Sequence, residues 1–280
     1  MSISFDVSKT LDRASVELLL AVDSTARKLR LAYCIVGAFA RDVVLGMCFG
    51  INTGRATRDI DFGLMMDDWS QFEALRSRLI EKGFAQHRSI PHRLTFRGVR
   101  ELDIVPFGNV ECSPGEIAWP PEFSIVMSTV GFLEAHANAL RITVATGVSI
   151  RFVSPAGLAL LKLIAWSERG TVVDFKDAYD LALLLTSYLQ AGGEARLYDE
   201  HAALLDEPDF DLETAGARIL GRDIGTLAGD KIRDQLERLL DKGMKPSQGE
   251  PLLRALPLKT EQAQRLLQAL RKGLRESAAP

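Results

Sequence analysis

The sequence predicts an α+β fold: a mixed β-sheet with helices over residues 1–152, followed by an all-helical part over 153–280. Three observations predict it. In the first half, short β-branched or alternating segments stand between amphipathic stretches of helical period. Two of the apolar segments fold back on themselves at glycine turns, Gly98 and Gly147, as hairpins do. From Ser154 onward the strand-like segments stop and the period stays helical.

Taken in order, Leu11 to Arg30 reads as a helix, because Leu18, Leu19, Val22 and Ala26 fall on one stripe. "YCIVG" is a strand that stops at Gly37, where the chain turns into a second helix, "AFARDVVLG", with Gly46 as its expected C-cap. "MCFGINTGRAT" is a glycine-containing loop that leads into a strand at "RDIDFGLMM". Asp68 to Gly83 is a helix with the stripe Trp69, Phe72, Leu75 and Leu79. "HRLTFRG" and "RELDIVPFG" form a hairpin, and Pro106 marks the exit of its second strand. A Pro-rich loop, "SPGEIAWPPEF", precedes the last hairpin, "ALRITVATGVSIRFVSP". Ser154 and Pro155 make a good N-cap and first-turn pair for a helix running to Gly170. "DFKDAYDLALLLTSYLQ", "KIRDQLERLLDKG" and "KTEQAQRLLQALRKGL" continue the helical part, and "RESAAP" is expected to fray.

The totals bound the function. With 280 residues, 47% hydrophobic and 25% charged, the chain can bury a substantial core. A net charge of -3 argues against a broad electrostatic footprint on nucleic acid, and leaves room for a local basic pocket. Cys34, Cys48 and Cys112 share no C-x-x-C pair and no zinc spacing with the four histidines, so buried thiols in a reducing compartment are expected. His87 and His92 read as strand-face or loop residues without a ligand role. No apolar run approaches the ~20 residues a membrane helix needs, and the N-terminus lacks a signal-peptide pattern. A cytoplasmic protein is expected.

The chemistry starts at Asp59 and Asp61. Residues i and i+2 of a strand share one face, about 6–7 Å apart, and two like charges there resist desolvation unless a cation compensates them. A solvated edge strand is the ordinary alternative. Asp103 adds a third carboxylate on a later strand, on the face of Glu101 and Val105. Two or three carboxylates with substrate phosphates suffice for Mg²⁺, and a two-metal site can clamp both oxygens of a phosphoryl displacement.

In order along the chain, "IVGAFARDVVLG", "TRDIDFGL" and "ELDIV" resemble the signature of the DNA polymerase β type nucleotidyltransferase superfamily. The first also resembles the corresponding run of tRNA CCA-adding enzymes. "LLKLIAWSERGTVVDFKDAYDL" is similar to a segment of AbiEii-type nucleotidyltransferase toxins and their MenT relatives. The resemblance implies a nucleotidyltransferase-like catalytic domain over 1–152, with the helical domain closing the nucleotide cleft. It implies that Asp59 and Asp61 hold Mg²⁺, with Mn²⁺ a possible substitute, while Asp103 completes the site and accepts or orients the proton of the attacking hydroxyl. Gly37 would let the backbone reach the β- and γ-phosphates; Ala38 stands where the family has Gly or Ser, keeping the N–H but losing a hydroxyl contact. Thr57 would bond a phosphate oxygen, and Arg41 would lie at the nucleotide. Lys162 would neutralise the triphosphate, and Asp177 would position Lys162, the nucleotide or the acceptor.

Each has an ordinary rival. Lys162 is otherwise a surface lysine, Arg41 and Asp42 a solvated pair, Lys176 and Asp177 a cap for a helix starting near Asp174, and Trp166 packing. Arg58 is expected to point away from the carboxylate face. Three functions follow. The first is transfer of NMP from an NTP to an acceptor hydroxyl with pyrophosphate release, toxin-like, on RNA such as a tRNA 3′ end, with an antitoxin partner. The second is nucleotidylation of a small, antibiotic-type molecule. The third is a catalytically silent nucleotide-binding scaffold.

Overall fold

The computed structural model describes residues 5–55, 57–169, 175–245 and 252–277. The chain divides into two compact units, with the boundary between Ser154 and Pro155.

The first unit is built on an eight-stranded mixed sheet. Its strands are β1 (Phe5–Asp6), β2 (Tyr33–Val36), β3 (Asp59–Met65), β4 (Phe84–Gln86), β5 (Arg93–Phe96) and β6 (Arg100–Phe107). A separate two-stranded hairpin, β7 (Glu116–Trp119) and β8 (Ile125–Ser128), follows, and β9 (Leu140–Ala145) and β10 (Val148–Phe152) return to the main sheet. The order across that sheet is β1-β9-β10-β2-β3-β6-β5-β4. β3 runs antiparallel to β2 and parallel to β6, so the Asp-x-Asp strand has a partner on each side.

Helix α1 (Arg13–Leu29) buries Leu18, Leu19, Val22 and Ala26 completely, as its period demands. Asp12 caps it by accepting from Ser15 N at 3.0 Å. Helix α3 (Trp69–Glu81) packs on α1 through Phe72, Leu75 and Leu79 and is capped by Asp68. Ile60, Phe62 and Leu64 of β3 are fully buried. Truncating one such side chain, Phe62 for instance, costs about 3–5 kcal/mol.

Three local expectations need correction. The helix that opens at Gly37 does not end at Gly46: α2 (Gly37–Arg41) widens into a π-helical stretch, Asp42–Cys48, that runs through Gly46 and ends at Phe49. Val43, Val44 and Leu45 are buried, and that continuing apolar run carries the helix past the glycine. The Pro-rich loop is in part the β7–β8 hairpin: Ile117, Ala118 and Trp119 are buried together and pair with β8 despite the flanking prolines. Of the thiols only Cys34 is buried; Cys48 is half-buried and Cys112 exposed. Burial pushes the Cys34 thiol up to about 12. Pro106 is tolerated inside β6 because β5 ends opposite Asp103, so β6 has only β3 beside it there.

A short helix, α4 (Phe132–Ala137), lays Phe132 over Gly63, where a Cβ would stand 3.0 Å from the ring.

The second unit is helical: α5 (Pro155–Arg169), α6 (Lys176–Ser187), α7 (Glu194–Asp199), α8 (Leu212–Leu227), α9 (Asp230–Gly243), α10 (Leu252–Ala255) and α11 (Thr260–Glu276). The expected helix end at Gly170, the expected start near Asp174 and residues 278–280 of the tail lie outside the described residues. The expected fraying does not begin at Arg275: α11 runs through Glu276, whose carboxylate Arg218 and Arg222 hold. α8 and α11 approach closely enough that a Cβ on Gly221 would overlap the Leu270 carbonyl, and one on Gly273 the Arg218 carbonyl. Ion pairs brace the same two helices: Arg218 holds Glu276 and Glu207, and Arg222 reaches Glu276 at 2.7 Å. Among the described residues no helix is long and apolar enough to cross a membrane.

Candidate active site

The alternation of β3 turns Ile60, Phe62 and Leu64 into the core and leaves Asp59 and Asp61 on the opposite face. The parallel register with β6 then pairs Asp61 with Asp103 and Asp59 with Glu101. Neighbouring strands lie about 4.8 Å apart, so four carboxylates crowd one patch of sheet. Asp103 is buried, whereas Asp59 is 44% exposed.

Gly37 closes this patch from the β2 side. It has φ +71°, and a Cβ there would overlap the Asp61 carboxylate. Glycine is therefore required twice, by backbone conformation and by close approach. Ala38 follows it in α2, half-buried.

The segment that delivers β3 is pinned from below. Arg41 is fully buried, its guanidinium donating to Asp42 at 2.6 Å and to the Arg55 carbonyl at 2.9 Å. Asp42 accepts from Thr57 N at 3.2 Å, and the Thr57 hydroxyl accepts from Asp59 N at 3.3 Å. Arg41 and Asp42 are thus no solvated surface pair. Their position makes them a brace for the approach to Asp59. Arg58 is exposed.

Sequence reasoning missed the basic group that answers the carboxylates. Arg93, at the start of β5, is the cross-strand partner of Asp103. It grips Asp103 with two parallel bonds, Nε to Oδ1 and Nη2 to Oδ2, both 2.7 Å. Its Nη1 donates to Glu101 at 2.5 Å, and Nη2 stands 4.0 Å from Asp59. The signal was the hairpin turn at Gly98, which sets Arg93 and Asp103 opposite each other across β5 and β6. His92 beside it is packed on Trp119, with ring centroids 5.3 Å apart, and its pKa is lowered, first by burial. His87 caps its own turn by accepting from Ile90 N at 3.1 Å.

Among the described residues no three carboxylate, histidine or cysteine side chains converge as a ready metal cage. Asp103, turned into the Arg93 fork, is the evident reason. The donors nonetheless suit a hard divalent cation: all are carboxylate oxygens, and Asp61 holds its position against Gly37 only because glycine has no Cβ there.

In the second unit, α5 and α6 bring together Lys162, Asp177 and Asp180. Lys162 Nζ lies 2.8 Å from both Asp177 Oδ1 and Asp180 Oδ2. Lys162 is not a surface lysine, since its side chain is only 12% exposed, and Asp180 is fully buried. Asp180 was missed although i, i+3 spacing from Asp177 puts both on one face of α6. Trp166 is buried as packing.

Parallel neighbouring strands carrying Asp-x-Asp and a third Asp in register, beside a strand–glycine–helix turn, are the arrangement of a nucleotidyltransferase. The family model "Nucleotidyl transferase AbiEii toxin, Type IV TA system" matches residues 36–257, and the chain belongs to that family. No curated protein matches. Among solved structures, the antibiotic-resistance factor ANT(2'')-Ia is similar at 19% identity over 70% of this chain and 97% of that one, TM-score 0.38. The lincosamide antibiotic adenylyltransferase LnuA is similar at 17% identity over 60% and 94%, TM-score 0.36. The Thermotoga maritima CCA-adding enzyme complexed with tRNA is similar at 13% identity over 99% and 85%, TM-score 0.28. Likenesses at this level carry no weight for substrate.

Proposed function

We propose that this nucleotidyltransferase moves NMP from an NTP to a hydroxyl of an RNA acceptor, a tRNA 3′ end being the leading choice, and that Mg²⁺ supports the reaction. The observation that carries the reading is the in-register pairing of Asp61 with Asp103, with Gly37 packed against the Asp61 carboxylate. Asp59 and Asp61 would hold the metal, Asp103 would complete its ligands, and Mn²⁺ would substitute. When bound, the metal offsets the charge that develops on the triphosphate.

The chain's own groups do the rest. The Gly37 turn presents backbone where phosphate must approach closely, with the Ala38 N–H next in line. Asp103 takes or orients the proton of the attacking hydroxyl as its oxygen bonds to the α-phosphorus and pyrophosphate leaves. Thr57 offers a hydroxyl to a phosphate oxygen. Arg41 acts at one remove, through the segment it pins. Lys162, set by Asp177 and Asp180, is assigned to the triphosphate on the family resemblance. The type IV toxin family supplies an antitoxin partner as well as the nucleotide.

The test incubates the protein with Mg²⁺ and each α-³²P-labelled NTP, in parallel with total tRNA and with a panel of aminoglycoside and lincosamide acceptors. Label on tRNA, absent with Asp61→Ala, is the expected result and names the base. Label on a small molecule alone would replace the RNA reading.

A further inference from the structure

Resting on the reading that Asp59, Asp61 and Asp103 receive a divalent ion, we propose that Arg93 is a built-in stand-in cation. It holds Asp103 in the metal-free protein and gives it up when metal binds.

Four carboxylates on one face of β3 and β6 cannot all stay ionised and close without a positive partner. Arg93 supplies one that never loses its charge. Its fork takes both oxygens of Asp103 and one of Glu101, and its third edge leans toward Asp59. It is not a flexible surface arginine. Its side chain is 22% exposed, and its backbone is tied to the sheet, with Ile104 N donating to the carbonyl of adjacent His92 at 2.9 Å.

The same geometry sets Arg93 against a metal. A divalent ion that uses Asp103 needs oxygen lone pairs now directed at the guanidinium. It also meets a positive charge a few ångströms away, and like charges at that range repel strongly in a half-buried site. Glu101 makes the exchange possible. It sits one register step from Asp103 on the same strand face, already accepts from Nη1, and can retain the guanidinium after Asp103 is released. Arg93 is thus a positioning residue, and metal loading requires its side chain to shift from Asp103 toward Glu101.

The experiment titrates MnCl₂ into the nucleotide-free full-length protein by calorimetry, comparing wild type, Arg93→Gln, Arg93→Lys and Asp61→Asn, and records melting temperatures with and without Mn²⁺. Arg93→Gln is expected to bind Mn²⁺ roughly tenfold tighter than wild type, since a repelling charge is removed. Arg93→Lys, which keeps the charge but loses the fork, falls between. Asp61→Asn loses the binding, which places it at this site. Without metal, Arg93→Gln melts below wild type, and saturating Mn²⁺ narrows that gap. Mn²⁺ binding no tighter than wild type, or a melting deficit the same with and without metal, overturns the proposal. If the glutamine variant does not fold, the lysine variant decides: tighter than wild type supports the exchange, equal or weaker overturns it. Absence of Mn²⁺ binding in both wild type and Arg93→Gln overturns the metal reading as well. Binding by wild type that Arg93→Gln leaves unchanged overturns this proposal alone.

Discussion

Lys162 shows why single residues must be read with their partners. Its ammonium sits between Asp177 and Asp180, 2.8 Å from each, and Asp180 has no exposure to water. Removing the lysine takes its ammonium from two buried carboxylates, and breaking such a buried pair costs about 3–5 kcal/mol. Lys162→Ala is therefore expected to lose stability of that order in urea unfolding, and adding Asp180→Asn should restore part of it by removing one of the two buried negative charges the lysine offset. A loss below about 1 kcal/mol would mean the triad is worth no more than a surface pair. Any drop in activity of Lys162→Ala must accordingly be compared with its folded fraction. Gly37 differs, because its demand is local: positive φ and contact with the Asp61 carboxylate leave no room for a side chain.

At the scale of elements, the close crossing of α8 and α11 depends on glycine. Gly221 faces the Leu270 carbonyl and Gly273 the Arg218 carbonyl, so each helix presents bare backbone to the other. Backbone cannot step aside as a flexible side chain can. Gly221→Ala is expected to destabilise the helical unit by about 1–3 kcal/mol or more, measured by thermal unfolding, despite alanine's better helix propensity. Gly229→Ala, where a Cβ meets nothing within 4 Å, serves as the control and should cost no more than about 1 kcal/mol, the preference for glycine over alanine at the N-cap of α9. If the two variants melt alike, the crossing is looser than described.

β2, β3, the two hairpins of the main sheet and the carboxylate face were legible because period-two alternation and glycine turns are local signals; the short strands β1 and β4 and the β7–β8 hairpin were not. That β3 and β6 are parallel neighbours was not, because pairing is decided by the whole sheet. Arg93 was within reach of the sequence and was overlooked: the hairpin turn at Gly98 sets residues 93 and 103 opposite each other, five positions to either side. Asp180 was legible in the helical spacing of "KDAYDL" and was passed over. The π-helical continuation through Gly46 was hidden because a glycine ordinarily stops a helix, and only burial of Val43 to Leu45 overrides it.

For the molecule as a whole, the eight-stranded mixed sheet has one purpose that bears on function: it sets two strands side by side with their aspartates in register, next to a glycine turn. Membership of the AbiEii toxin family fixes the class of reaction. In the proposed reaction the carboxylate face receives the metal, and Asp103 must leave the grip of Arg93 to take part. The most direct measurement is the rate of pyrophosphate release from NTP in the presence of Mg²⁺ and acceptor RNA, for wild type, Asp61→Asn and Asp103→Asn, each shown to be folded by circular dichroism. The account predicts near-complete loss for Asp61→Asn and a fall of roughly 10²–10⁴-fold for Asp103→Asn, the range a lost proton acceptor gives. Wild-type rates in either folded variant would contradict it.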